Sequence, residues 1–144
     1  MARLLVIEDG HEYEEFARLF LAPPFDVVAA HRADEAEALA AEATAFLIDL
    51  RFERAAPEDL LGDVNSVAAS RFGGEVERAA RWLKEQQGTL ILAALREAGH
   101  AQPAVFVHDF PPRRVANLRR LYGAVAAVPS FDARAILKAF EALA

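Results

Sequence analysis

Short, wholly apolar runs alternate with helical patterns along the chain. Leu4-Leu5-Val6-Ile7 is apolar on both faces and runs into Glu8-Asp9-Gly10, which predicts a buried strand ending at a turn. Over residues 11–21, Phe16, Leu19 and Phe20 recur on one helical face, and Pro23-Pro24 stops the pattern. Phe25–Ala30, built around Val27-Val28, predicts a second strand, and residues 34–43, rich in Ala, Glu and Leu, a second helix. Ala45–Ile48 predicts a third buried strand that runs into Asp49. Residues 89–98 read as a helix whose apolar side is Leu90, Ile91, Ala94 and Leu95, with Gly99 as C-cap. Ala104–Val107 predicts a fourth strand, followed by His108-Asp109. A helix over 113–122 follows Pro111-Pro112, and a small, weak fifth strand covers 124–128. Asp132 caps a last helix that turns Ile136, Leu137, Phe140 and Leu143 inward.

Strands apolar on both faces, each followed by a helix, predict a parallel sheet covered on both sides. Right-handed crossovers leave few topologies, and the most economical is the flavodoxin-like (βα)5 three-layer sandwich with strand order 2-1-3-4-5. The residues just past each strand then border the functional crevice. One stretch breaks the rhythm: 37 residues separate Leu50 from Gly88, against about 2–6 for an ordinary connection of this kind. Residues 75–87 carry Val76, Ala79, Ala80 and Leu83 at helical spacing and read as an added helix or an extension of the third, while 51–74 is mixed. Residues 1–144 are therefore read as one domain with a helical insertion at about 53–87, on the active edge of the sheet.

Composition narrows the function classes. With 54% hydrophobic residues the chain can fill a core, and no apolar run reaches the length of a membrane helix. The absence of cysteine removes disulfides, thiolate metal sites and thiol catalysis. A cytoplasmic globule is the expectation. Residues 1–50 carry a net charge of −8, residues 51–100 a net of −1 and residues 101–144 a net of +3. The acidic total of −6 argues against phosphate-backbone binding, hence against a nucleic-acid partner. Arg113, Arg114, Arg119 and Arg120 fall together on the fourth of the five regular helices and read as a solvated face or a local partner surface. Trp82, beside Arg78 and Arg81, reads as packing or as an interface anchor. His11, His31 and His100 lie in loops or at helix ends with no partner at ligand spacing, and read as solvent-exposed.

The strand ends carry the chemistry. Glu8 and Asp9 close the first strand and Asp49 the third, and these strands are neighbours in the 2-1-3-4-5 order. Two carboxylates at about 4 Å repel by about 4 kcal/mol at an effective dielectric near 20. A hard divalent cation such as Mg²⁺, which takes carboxylates, waters and phosphate oxygens, would relieve that repulsion.

At these residues the chain resembles the receiver domains of two-component response regulators. Leu4-Leu5-Val6-Ile7-Glu8-Asp9 is similar to that family's first strand with its acidic pair. Phe46-Leu47-Ile48-Asp49-Leu50-Arg51-Phe52 is similar to the third strand with its phosphoacceptor, and residues 88–97 with 103–107 resemble the third helix and fourth strand. The resemblance implies that Asp49 takes a phosphoryl group from a histidine kinase. It also implies that Glu8, Asp9, Asp49 and the Arg51 backbone carbonyl hold Mg²⁺. The family's Ser or Thr at the end of strand four is here His108, its strand-five Lys is Pro129 or Ser130, and its aromatic switch position is Ala126 or Ala127.

These departures point to an atypical, pseudo-receiver variant. It would be a stand-alone signalling module rather than an enzyme, binding a histidine kinase, a downstream signalling protein or a second copy of itself. A population shift needs a differential interaction with the phosphoryl group, and its usual source is gone. Two alternatives stay open. One is a phosphorylation-competent receiver that uses a protonated His108 as a conditional cation. The other is a metal-dependent phosphoryl-processing enzyme with His108 as acid or base.

Overall fold

Five parallel strands form one sheet in the order β2-β1-β3-β4-β5, as the alternating pattern predicts. The structure, a computed structural model, describes residues 2–144. The strands are β1 (Ala2–Ile7), β2 (Phe25–Ala30), β3 (Ala45–Ile48), β4 (Ala104–Val107) and β5 (Val125–Val128). Between them run α1 (Glu12–Phe20), α2 (Ala33–Ala40), α3 (Val64–Arg71), α4 (Val76–Glu97) and α5 (Pro112–Tyr122), with α6 (Ala133–Leu143) last.

Alternation along each strand divides the core into two layers. Leu5, Ile7, Phe46, Ile48 and Phe106 pack with Ala36, Leu92, Leu95 and Leu118, on the face covered by α2, α4 and α5. Leu4, Val6, Leu47, Val105 and Val107 pack with Ala17, Leu21, Ile136 and Phe140 of the α1 and α6 side. A fully buried side chain of this kind contributes about 1.5–3 kcal/mol, which is why strands without a polar face are stable here. Register then fixes the strand ends: Ile7 pairs with Ile48, so the residues that follow, Glu8 and Asp49, leave the sheet side by side.

The insertion differs in detail from its sequence pattern. Of the two readings of residues 75–87, the extension holds and the separate added helix does not: they run straight into the helix expected at 89–98. They join as α4, 22 residues long and about 33 Å at 1.5 Å per residue. Gly88 explains the continuity. A mid-helix glycine costs about 1 kcal/mol relative to alanine, but here the helix touches the end of β3. The Gly88 N–H donates to the Leu50 carbonyl at 2.9 Å, and the Phe52 N–H donates to the Lys84 carbonyl at 2.9 Å. A Cβ at Gly88 would collide with the Asp49 carbonyl oxygen and lie 2.9 Å from Leu50 Cα.

Since α4 runs antiparallel to the strands, residues 76–87 rise beyond their carboxyl ends. The mixed stretch supplies α3, which packs on that rising half. Asp63 starts α3 by accepting the Asn65 and Ser66 N–H groups, an N-cap that sequence reading passes over because α3 has almost no apolar periodicity. Gln87, fully buried, ties the insertion down: its Oε1 accepts the Leu61 N–H at 2.7 Å, and its Nε2 donates to the Leu61 and Leu83 carbonyls at 3.2 Å. Trp82 is half-buried against the core, with the Arg71 guanidinium 4.5 Å from its ring centroid.

Candidate functional site

Glu8 is only 1% exposed. Its two oxygens accept the Tyr13 N–H at 3.0 Å and the Glu14 N–H at 2.8 Å. It therefore caps α1 from outside the helix, supplying the acceptor that His11, at the N-cap position, does not. Burial raises the Glu8 carboxyl above the ordinary glutamate range, and the two backbone donors oppose that rise.

Asp9 and Asp49 line an open cleft of about 300 Å³ with Glu12, Tyr13, Arg51, Glu53, Arg54 and Phe131. Asp9 Oδ2 accepts the Arg54 backbone N–H at 2.7 Å. Asp49 Oδ1 accepts the Arg51 N–H at 3.3 Å and lies 3.3 Å from the Tyr13 hydroxyl, which is also 3.0 Å from the Val107 carbonyl. Burial is the main cause that pushes Asp49 up to about 7, with the Asp9 and Glu8 charges adding to it; the Arg51 N–H and the Tyr13 hydroxyl pull the other way. Tyr13 is itself pushed above its ordinary value, by burial and then by the charge of Asp49.

Asp9 and Asp49 supply oxygen donors of the kind a hard divalent cation takes, while among the described residues Glu8, Asp9 and Asp49 do not gather into one three-ligand cluster. Among the described residues nothing donates to Asp9 Oδ1 or Asp49 Oδ2, so each carboxylate keeps one free oxygen, and oxygen ligands with several waters are what Mg²⁺ takes. The opposing features are the Arg54 N–H on Asp9 and the guanidinium groups of Arg51 and Arg54 at the cleft. The Arg54 guanidinium pairs with Glu12 at 2.9 Å.

His108 does not line this cleft. Its ring packs at a tilt against Phe110, centroids 4.8 Å apart. Burial first, and then the nearby charge of Arg51, lowers its affinity for a proton below that of ordinary histidine. Pro129 and Ser130 are both exposed at the end of β5. Of the arginine cluster, Arg114 donates to Gln86 Oε1 at 2.9 Å and Arg119 to the Val125 carbonyl at 2.8 Å, so two of its four members are tied into the fold.

Sequence reading missed Tyr13 and Arg54. Tyr13 lies on the first turn of α1, four residues past the acidic doublet, and that placement was the signal available for it. Arg54 acts on Asp9 through a backbone N–H, for which side-chain identity gives no signal.

No protein-family model matches the chain, and no curated protein sequence matches it. Solved structures do. The chemotaxis response regulator CheY4 of Vibrio cholerae superposes with a TM-score of 0.63 at 16% identity, covering 100% of this chain and 99% of that one. The receiver domain of the Francisella response regulator 1452 gives 0.60 at 14% identity, covering 99% and 96%. A Burkholderia pseudomallei response regulator, solved with a phosphorylated aspartic acid, a calcium ion and citrate, gives 0.62 at 15% identity, covering 97% of this chain and 66% of that one. The order of strands, the faces they bury and these superpositions agree: the chain has the CheY-like, flavodoxin-like fold of response-regulator receiver domains.

Proposed function

We propose that this chain is an atypical receiver-like signalling module that acts through protein–protein contact, with a degenerate phosphorylation switch. The observation that carries the reading is the state of Asp49. The residue at the phosphoacceptor position is covered on one oxygen by Tyr13, held near neutrality in its titration, and has no hydroxyl at the end of β4 and no lysine at the end of β5 to read a phosphoryl group. His108, at the hydroxyl position, faces Phe110 and is disfavoured as a cation by burial and then by Arg51. In this reading Mg²⁺, when bound, is held by Asp9, Asp49 and the Arg51 carbonyl, and neutralises the carboxylates; Glu8 serves from behind as the α1 cap.

A partner surface adjoins the cleft. Phe131 packs edge-on against Tyr13 at 4.8 Å and at a tilt against Phe16 at 4.9 Å, and Phe16 meets Phe20 at 5.2 Å. Leu19, Phe20 and Phe131 are 72%, 59% and 45% exposed. An apolar strip of this kind leading from a cleft favours a protein partner, a kinase or a downstream signalling protein.

Incubation with a small phosphodonor and Mg²⁺, followed by intact-mass measurement, tests the switch. The expected result is no phosphoryl adduct. An adduct that disappears in Asp49→Asn overturns the degenerate reading in favour of a working receiver, and turnover of a phosphoester that depends on Asp9 overturns it in favour of an enzyme.

A further inference from the structure

The three histidines at loop or helix-end positions do not share one fate. His11 precedes α1 and His31 follows β2 directly. Twenty residues apart in sequence, their rings meet edge-on with centroids 5.1 Å apart. Glu14, one turn into α1, joins them: its Oε1 is 3.7 Å from His11 Nδ1. One ligand atom from each of His11, Glu14 and His31 lies within 4.8 Å of the others. We propose that these three residues form a binding site for a borderline divalent transition metal, Zn²⁺ in the first instance, separate from the Asp9–Asp49 cleft.

The surroundings orient each ligand. His31 Nδ1 is 3.1 Å from the Glu8 backbone carbonyl. A carbonyl only accepts, so Nδ1 carries the proton and Nε2 keeps its lone pair for a metal. A backbone carbonyl on the second ring nitrogen is the outer-shell partner that metal-binding histidines regularly have. Glu14 Oε2 accepts two bonds from Arg18, at 3.1 Å to Nε and 2.8 Å to Nη2, which fixes the carboxylate and leaves Oε1 toward His11. His11, 73% exposed at its side chain, is the adjustable member.

Donor atoms around a tetrahedral zinc, bonded at about 2.0–2.1 Å, stand about 3.4 Å apart. The set therefore has to close by at most about 1.4 Å, within reach of an exposed imidazole changing rotamer.

Ligand chemistry separates this site from the acidic cleft. Two imidazoles with one carboxylate suit Zn²⁺, Ni²⁺ or Cu²⁺, whereas carboxylates with water suit Mg²⁺. Three protein ligands leave a fourth position for water or for a partner's side chain. The two sites share one joint. Glu8 holds His31 with its carbonyl and Glu14's N–H with its carboxylate, so a metal here would clamp the turn that carries the acidic doublet.

Titration of the full chain with Zn²⁺ against a chromophoric chelator, and the visible d–d absorption of a Co²⁺ complex, tests the site. The expected result is one metal per chain with a tetrahedral Co²⁺ spectrum. His11→Ala, Glu14→Gln and His31→Ala should each weaken binding by at least about tenfold, and the double histidine variant should abolish it. His100→Ala and Asp49→Asn should bind like the parent chain. Circular dichroism on every variant separates lost ligation from lost folding. Absence of stoichiometric binding, binding unchanged in the double histidine variant, or binding lost in Asp49→Asn overturns the proposal.

Discussion

The Tyr13 hydroxyl stands 3.3 Å from Asp49 Oδ1 and 3.0 Å from the Val107 carbonyl. Tyr13 has one proton and two acceptors within reach. When Asp49 is ionised it competes for that proton. When Asp49 is protonated it can donate to the tyrosine oxygen while the hydroxyl turns to Val107. Tyr13 thus links the protonation of a β3-end carboxylate to the end of β4, and Phe131 behind it links the same event to the surface after β5. Tyr13 is therefore one group that touches both Asp49 and the end of the neighbouring strand β4.

That geometry sets a pH dependence. Asp49 is raised from 3.8 to about 7 in the folded chain. Between these values the folded state holds a proton that the unfolded chain has released. Stability therefore falls as pH climbs through this window and levels off above about 7. Glu8, also raised, contributes in the same direction. Thermal melts with chelator present should show Asp49→Asn more stable than the parent at pH 8, with the difference shrinking toward pH 4. Parallel melting curves across that range would mean that Asp49 ionises as an ordinary carboxylate.

Gly88 makes a second prediction, in which two effects oppose each other. Alanine is favoured over glycine in a helix by about 1 kcal/mol. Overpacking a tight contact costs about 1–3 kcal/mol, and the atoms in the way are the Asp49 carbonyl oxygen and Leu50 Cα, backbone that cannot swing aside. The clash should win. Gly88→Ala is expected to lower unfolding free energy by up to about 2 kcal/mol and to move the carboxyl ¹³C resonance of Asp49. A variant as stable as the parent would show that α4 has room to withdraw from β3.

Much of the fold is legible in the sequence because it is local. Leu4 to Ile7, Phe46 to Ile48 and Ala104 to Val107 are apolar on both faces, and buried parallel strands are what such runs form. Glu8, Asp9 and Asp49 are legible for the same reason, since a strand's last residue is fixed by where its apolar run stops. What escapes is contact between distant backbone atoms. The Arg54 N–H on Asp9, the Gly88 exchange with Leu50, and the meeting of His11 with His31 arise from packing. No periodicity within one segment encodes them. The helix over 64–71 escapes for another reason: its stability comes from the Asp63 cap and from α4 beneath it, not from an apolar stripe of its own.

Gln87 is the place to test how firmly the insertion is held. Its amide satisfies both backbone groups of Leu61 and is fully buried. Gln87→Leu keeps nearly the same volume but leaves the Leu61 N–H and carbonyl without partners, at a cost of about 1–3 kcal/mol. Phe52 and Leu60 remain anchored in the core on the α2–α4 side, so the damage should be local rather than global. Hydrogen exchange should accelerate over residues 57–72 while amides of β1, β3 and β4 keep their protection. Because Arg54 lies at the start of the same segment, its N–H bond to Asp9 should loosen as well, and the Arg54 amide should exchange faster in the variant. Uniform acceleration across the sheet would instead mean that the insertion and the sheet open as one cooperative unit.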